Sequence, residues 1–534
     1  MLRPKQRLAL WTIAGIWLLS GILLFLSANA FAQSQASRST DIYSQLQLFN
    51  EVLLKLRQNY VTDLSDEELI QAAIKGMLSS ADPHTNFFTP NEFTDFTTST
   101  RGEFGGLGIQ IDKKGDYITV VSPIEGTPAY RMGITSGDRI ISVDGVSIIG
   151  ASTDDAISKM RGDIGTKVRI TISRPGVQKP LEYEIIREAI KIKSVPYAFV
   201  LDNGVGYIRI SQFSENTTRE LRTALSELET AGIGGLLIDL RWNPGGLLDQ
   251  AIDTVNEFIG SNKLVVETKG RLPESNRQYL TRFPARERNY PIIVMVNEAS
   301  ASASEIFAGS LQDWDKGLVV GKTTFGKGSV QQLYPLSNGY GAKITTSYYY
   351  IKSGRCIHKT INDRILRGQY VTEDEIKSDD ETSHKSVYYT VNKRVVYGGG
   401  GITPDLVLES DLLTNLGAEL RRKNIFFDFA VNYVISHDHQ VPKDFQVSQD
   451  IFDEFLQYAT AQDVKFTPVE VDSAAAFIRN TIRSEIVGKV YGEKEAYKIS
   501  INQDRQLQEA IALFNRFNTM AQMFEYAASL QARN

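Results

Sequence analysis

The chain has 534 residues, 42% of them hydrophobic and 23% charged, with a formal net charge of −5. That length exceeds one ordinary core and suggests about three or four domains. The composition is globular and lacks the basic excess expected of a nucleic-acid-binding protein. Cys356 is the single cysteine, which excludes an intrachain disulfide and a cysteine-based zinc site.

The N-terminus reads as an export signal. Arg3, Lys5 and Arg7 precede an uncharged apolar run from Leu8 to Leu26, and Ala30-Phe31-Ala32 makes a small-x-small cleavage site before Gln33. The run is long for a cleaved signal and nearly long enough to cross a bilayer. Residues 1–32 are read as a signal peptide in preference to a retained inner-membrane anchor. Either way the basic flank stays inside and the remainder is exported, to the periplasm or cell envelope. With no cysteine near this run, lipid modification there is excluded. The body of the chain has no second apolar span.

Residues 33–40 form a polar linker, and 41–100 an N-terminal helical region. "YSQLQLFNEVLLKLRQNYV" repeats apolar residues at helical spacing, and "LSDEELIQAAIKGML" follows with Ser65 as its N-cap. "SSADPHTNFFTPNEF" breaks the pattern. Residues 101–192 alternate short β-branched runs with Gly, Asp and Pro, the mark of a compact β-rich unit.

Residues 193–410 change to longer alternation. Strands "GVGYIRI", "GLLIDL", "PIIVMVN" and "GLVVG" are separated by helices "ENTTRELRTALSELETA", "LDQAIDTVNEFIG" and "SASEIFAGSLQDW". This order predicts a largely parallel sheet covered by helices, and a multidomain α/β chain. Residues 368–390 are an acidic surface insertion. Residues 411–534 turn helical and polar, with a structural or dimer-forming role expected.

The chemistry concentrates in "NEASASASEIFAGSLQD". A strand feeds through small residues into a helix headed by Ser300, Ser302 and Ser304. Unpaired N–H groups at a helix start suit an oxyanion, although serines there also serve simply as caps. Spacing alone leaves the three equivalent. Upstream, "DLRWNPGG" ends a strand in two glycines able to aim backbone amides into a crevice. Any serine nucleophile needs a base. None of the five histidines, His84, His358, His384, His437 and His439, lies beside the helix head, and His437-x-His439 reads as a solvated pair. Lys327 in "TFGKGSVQQ" can serve if burial lowers its pKa.

Together with "IKGMLSSADPHTNFFTP", "EFGGLGIQI" and "GGGGITPDLVL", these segments resemble the carboxy-terminal processing peptidases of serine peptidase family S41, from about Asp41 to Glu409. The resemblance implies a ClpP/crotonase-like ββα core. It implies Ser302 as nucleophile, Lys327 as general base and Gln331 as the residue orienting the lysine. It also implies an oxyanion hole from the N–H groups of Ala303 and of Gly245 or Gly246, and no metal or other cofactor. Lys327 and Gln331 stand four apart, which suits a helix face or a strand. Asp313, acidic in some relatives, fits helix C-terminal hydrogen bonding at least as well as catalysis.

The β-rich unit resembles a PDZ domain. Leu107, Gly108 and Ile109 would then offer amides to a substrate C-terminus that adds as a strand, tethering substrate or gating the site. The partners implied are proteins or peptides with free C-termini, and another copy of the chain through terminal helices. The membrane is a partner only if the N-terminal segment is retained. Two further readings are a non-catalytic PDZ scaffold and an acyl-group enzyme. The intact Ser302, Lys327, Gln331 and double glycine weigh against the first; the PDZ unit and export signal weigh against the second.

Overall fold

The computed structural model describes residues 42–360, 365, 385–411 and 413–531. The signal, the linker, His384 and residues 368–384 of the acidic insertion lie outside them. The chain divides into two compact units, 1–81 and 82–534. In the first, helix α1 covers 42–59 and α2 covers Asp66–Ser79. Ser65 caps α2: its hydroxyl accepts from Glu68 N at 3.1 Å and donates to Glu68 Oε2 at 2.8 Å. Among the described residues no helix is long and apolar enough to cross a membrane.

The second unit opens with the turn Asp82–Thr85, strand β1 (Asn86–Phe88) and helix α3 (Pro90–Arg101). An antiparallel sheet follows in the order β2 (Ile109–Lys114), β3 (Tyr117–Pro123), β4 (Arg139–Val143), β5 (Lys167–Ser173) and β6 (Leu181–Ile186). Ile118, Ile140, Ile170 and Ile172 fill its core. Helix α4 (Thr153–Met160) packs near β2, which stays the free edge of this sheet.

The third layer system holds the chemistry. Its central sheet runs β7 (Tyr197–Val200), β8 (Val205–Arg209), β9 (Gly235–Asp239), then Ile292–Val296, Leu318–Gly321 and Leu406–Val407. All neighbours pair parallel except β7 with β8. A second, antiparallel sheet is built from β10 (Leu264–Gly270), β11 (Arg277–Leu280), β14 (Ser329–Pro335) and β15 (Gly341–Ile351), with β1 on its far side. The parallel strands Ile292–Val296 and Leu318–Gly321 are β12 and β13, and Leu406–Val407 is β16.

Strands β9 and β12 are buried at every position, and alternate residues enter two different cores. Leu236, Ile238, Val294 and Val296 face helices α5 (Thr217–Thr230), α6 (Leu248–Asn256) and α7 (Ala303–Asp313). Leu237, Ile293 and Met295 face the other way, onto Leu507, Ala510, Leu513 and Met523 of the C-terminal helices α8 (Arg505–Arg516) and α9 (Met520–Gln531). A period of two between two covered faces explains why these strands read as unbroken apolar runs. The C-terminal helices therefore close the sheet's second face.

They also grip the end of β9. Asp239 is fully buried and accepts from Arg241 N and Nη2 and from Tyr207 Oη. Arg241 reaches onward to Asp504, Nη1 to Oδ1 at 3.0 Å and Nη2 to Oδ2 at 2.6 Å. The same Asp504 caps α8 by accepting from Leu507 N. Burial opposes the charge on Asp239, but Arg241 and Arg209 hold its carboxyl below the usual value. Asp504→Ala removes a bidentate charge-assisted bond and a helix cap, and is expected to lower unfolding free energy by about 2–3 kcal/mol. Urea unfolding checks this; an unchanged midpoint refutes it.

Candidate active site

Strand β12 ends at Val296, and six residues later the backbone turns sharply at Ser302, with φ 56 and ψ −114. A non-glycine residue held there is strained, and such strain persists only where the surroundings enforce it. The enforcement is visible. Ser302 N–H donates to Glu305 Oε2 at 2.8 Å, one helical turn ahead in α7.

Burial separates the three serines that spacing left equivalent. Ser300 and Ser304 are fully buried, and their hydroxyls donate to Leu240 O at 2.9 Å and Asn243 O at 3.0 Å. Those bonds fasten the serine turn to the loop after β9. Ser302 alone keeps accessible surface.

The loop itself is built around Asn243, also fully buried. Its side chain donates to Ile210 O and accepts from Gly245 N, each at 2.9 Å, while its carbonyl accepts from Ala301 N. Gly245 has φ 98, and a Cβ there would stand 2.7 Å from Ser302 Cβ and 2.8 Å from Ala303 N. No side chain fits, so the loop lies directly against the serine. Gly246 is pressed instead against the Phe213 carbonyl. Gly245 N–H is committed to Asn243, whereas the N–H groups of Gly246 and Ala303 meet no acceptor among the described residues.

Lys327 approaches from the loop before β14. Four donors converge on the fully buried Glu305 carboxylate: Thr324 Oγ1 at 2.5 Å, Gly326 N at 2.7 Å, Lys327 N at 2.9 Å and Ser302 N. Tyr349 Oη adds a second tie, donating to Lys327 O at 2.5 Å and Ser302 O at 3.2 Å. One acid and one phenol thus bind the backbones of serine and lysine together. Gly326 and Gly328 have no room for a Cβ, because Lys359 and His358 pass within 3 Å. The run before Ile402 packs similarly on Thr324.

Burial pushes the Lys327 ammonium below its ordinary pKa, with the positive charge of Lys343 adding to the effect and Glu305 and Asp82 opposing it. Burial drives the Glu305 carboxyl up to about 7, against the hydrogen bonds that favour its charged form. Gln331 lies on strand β14, so the spacing of four is not a helical turn. Its Nε2 donates to Ser329 Oγ at 2.9 Å and Thr345 Oγ1 at 3.2 Å. Among the described residues no hydrogen bond joins Lys327 to Gln331 or to the Ser302 hydroxyl.

Asp313 sits at the opposite end of α7, about 16 Å from Ser302 at 1.5 Å per residue. It is fully buried, pairs with Arg355 at 2.9 Å and accepts from Ser353 N. Its role is structural. His437 is exposed and stacks on Tyr433, and among the described residues no group of His, Cys, Asp and Glu could hold a metal.

In the β-rich unit, Leu107 and Gly108 direct their carbonyls inward, to Ala129 N at 3.0 Å and to Ile124 N at 2.8 Å. Gly108, at φ 77, has Thr127 where a Cβ would stand. Ile109 starts the free edge strand β2. Glu305 and Tyr349 were not singled out from sequence. Serine followed three residues later by glutamate is, however, the capping-box pattern, and it marks Glu305 in hindsight.

The profile of peptidase family S41 matches residues 204–366, that of a PDZ domain residues 119–174, and that of a family of unknown function residues 417–492. A carboxy-terminal-processing protease of Bartonella bacilliformis is 40% identical over 347 residues, covering 64% of this chain and 79% of that protein. A carboxyl-terminal-processing protease of Synechocystis is 33% identical over 417 residues, covering 74% of this chain and 96% of that protein. Among solved structures, the photosystem II D1 C-terminal processing protease is 29% identical, with a TM-score of 0.34 over 57% of this chain and 83% of that one. The chain belongs to peptidase family S41 and, with its PDZ domain, stands among the carboxy-terminal-processing proteases.

Proposed function

We propose that the chain is an exported serine endopeptidase that cleaves proteins at or near their C-termini with a Ser302–Lys327 dyad. The observation that carries this reading is the Glu305 carboxylate, which accepts from the backbone N–H of both residues. A buried acid tying two such segments has little purpose unless their relative position matters.

In this mechanism neutral Lys327 takes the proton of the Ser302 hydroxyl as its oxygen attacks the scissile carbonyl. The oxyanion is held by the N–H groups of Ala303 and Gly246, the two that have no internal acceptor. The lysinium then protonates the leaving amine, and water activated by the same lysine hydrolyses the acyl-enzyme. Gln331 orients Lys327 once substrate closes the site. Leu107, Gly108 and Ile109 receive the substrate C-terminus along β2, and the PDZ domain tethers substrate or gates access. Residues 1–32 direct export to the periplasm or cell envelope, and terminal helices join copies of the chain.

Purified protein incubated with casein tests the dyad. Ser302→Ala and Lys327→Ala are each expected to lose about a thousandfold or more in turnover with the fold intact. Undiminished cleavage by Ser302→Ala sinks the assignment.

The pH dependence has two parts. Glu305 titrates at about 7 in the folded chain, above its ordinary 4.5. The folded chain therefore binds the extra proton between those values, and this group's contribution to stability declines as pH rises through that window. Activity runs the opposite way, because the site needs Glu305 ionised and Lys327 neutral. The value of kcat/KM is expected to rise with pH through about 7. Glu305→Gln, which sets an amide against four donors, is expected to lower kcat at least about tenfold. A profile flat from about pH 6 to 8 in the wild type argues against both assignments.

Deleting residues 101–192 is expected to impair cleavage of proteins more than of short peptides. Equal effects on both count against a tethering or gating PDZ domain.

A further inference from the structure

The segment Asp82-Pro83-His84-Thr85 has no part in the dyad, yet the fold carries it to the site. Strand β1, which follows it, pairs with β15, placing Asn86 opposite Lys343. Strand β15 also pairs with β14, setting Thr345 opposite Gln331. The turn is internally fixed. Asp82 Oδ1 accepts from His84 N at 2.7 Å and Thr85 N at 2.9 Å, and Oδ2 accepts from Thr85 Oγ1 at 2.7 Å. Thr85 Oγ1 in turn accepts from Thr345 N at 3.1 Å.

Thr345 is also among the groups that hold the Asp82 carboxyl below its usual value. Its hydroxyl oxygen accepts from Gln331 Nε2 at 3.2 Å, and Ser329 Oγ accepts from the same nitrogen at 2.9 Å. These two bonds orient the Gln331 amide. The nitrogen faces Ser329 and Thr345, and the carbonyl oxygen is the end free to accept from an ammonium.

We propose that Asp82 and Thr345 are positioning residues for the reaction, acting through Gln331 by fixing its amide so that the carbonyl oxygen is presented to Lys327. Burial opposes the charge on Asp82, but the groups around it, Thr85, His84 N and Thr345, keep its carboxyl below the usual value. Asp82 also lies close enough to act electrostatically on Lys327 and Lys343. The inference rests on the Ser–Lys reading, since only a lysine base gives Gln331 an ammonium to orient.

Thr345→Val is the informative variant. It deletes the hydroxyl and keeps the backbone N–H that Thr85 accepts from. Thr345→Val is expected to lower kcat about tenfold with KM unchanged, and Thr345→Ser to recover most of the loss. In a Gln331→Ala background, adding Thr345→Val is expected to change nothing further. Asp82→Asn is expected to follow Thr345→Val. Wild-type turnover in Thr345→Val, or a loss that adds fully to that of Gln331→Ala, overturns the inference while leaving the dyad standing. A wild type that cleaves nothing overturns the dyad instead. The crystal structure of Thr345→Val then decides the positioning claim: an unmoved Gln331 amide refutes it, and a rotated one supports it.

Discussion

The active site depends on one buried carboxylate. Glu305 accepts from Ser302, Gly326, Lys327 and Thr324, so a single side chain defines where two loops far apart in sequence meet. Burying that charge is costly, and the carboxyl pKa of about 7 records the cost. Four donors offset part of it. The strained backbone at Ser302, with φ 56, sits at the same junction and gives its N–H to this acid. On the proposed Ser–Lys reading, the difficulty lies in keeping a lysine dry and two backbones in register rather than in aligning an imidazole.

The surrounding architecture serves that register. The parallel sheet supplies Ser302 and the Asn243–Gly246 loop from adjacent strand ends, where open α/β sheets place their ligands. The antiparallel sheet supplies Lys327 and Gln331 from the other side, and α7 fills the space between. Hydroxyls of Ser300 and Ser304 fasten the two strand ends together.

The parallel sheet was legible because its strands are continuous apolar runs such as "IIVMV", bounded by helices with clear periodicity. The antiparallel sheet was not. Its strand Gly341–Ile351, "GAKITTSYYYI", mixes polar and aromatic residues because one face lines the site, so hydrophobic pattern hardly marks it. Local pattern could not choose among Ser300, Ser302 and Ser304; resemblance named one, and burial gives a physical reason to separate them. Tyr349, Asp82 and Thr345 were out of reach, since their partners lie up to 260 residues away in sequence. Gln331 stood between helix and strand because a spacing of four fits both until the pairing with β15 is known.

The grip of Asp504 on Arg241 spans 263 residues. Arg241 stands two residues before the loop whose Gly245 lies against Ser302, whereas Asp504 caps a helix that covers the sheet's second face. Bringing together residues so far apart in sequence costs loop-closure entropy. Until the contact forms, the sheet's second face lies bare and the glycine loop lacks its outer clamp. The frame of the peptidase is thus completed by a segment 263 residues beyond the strand end it clamps.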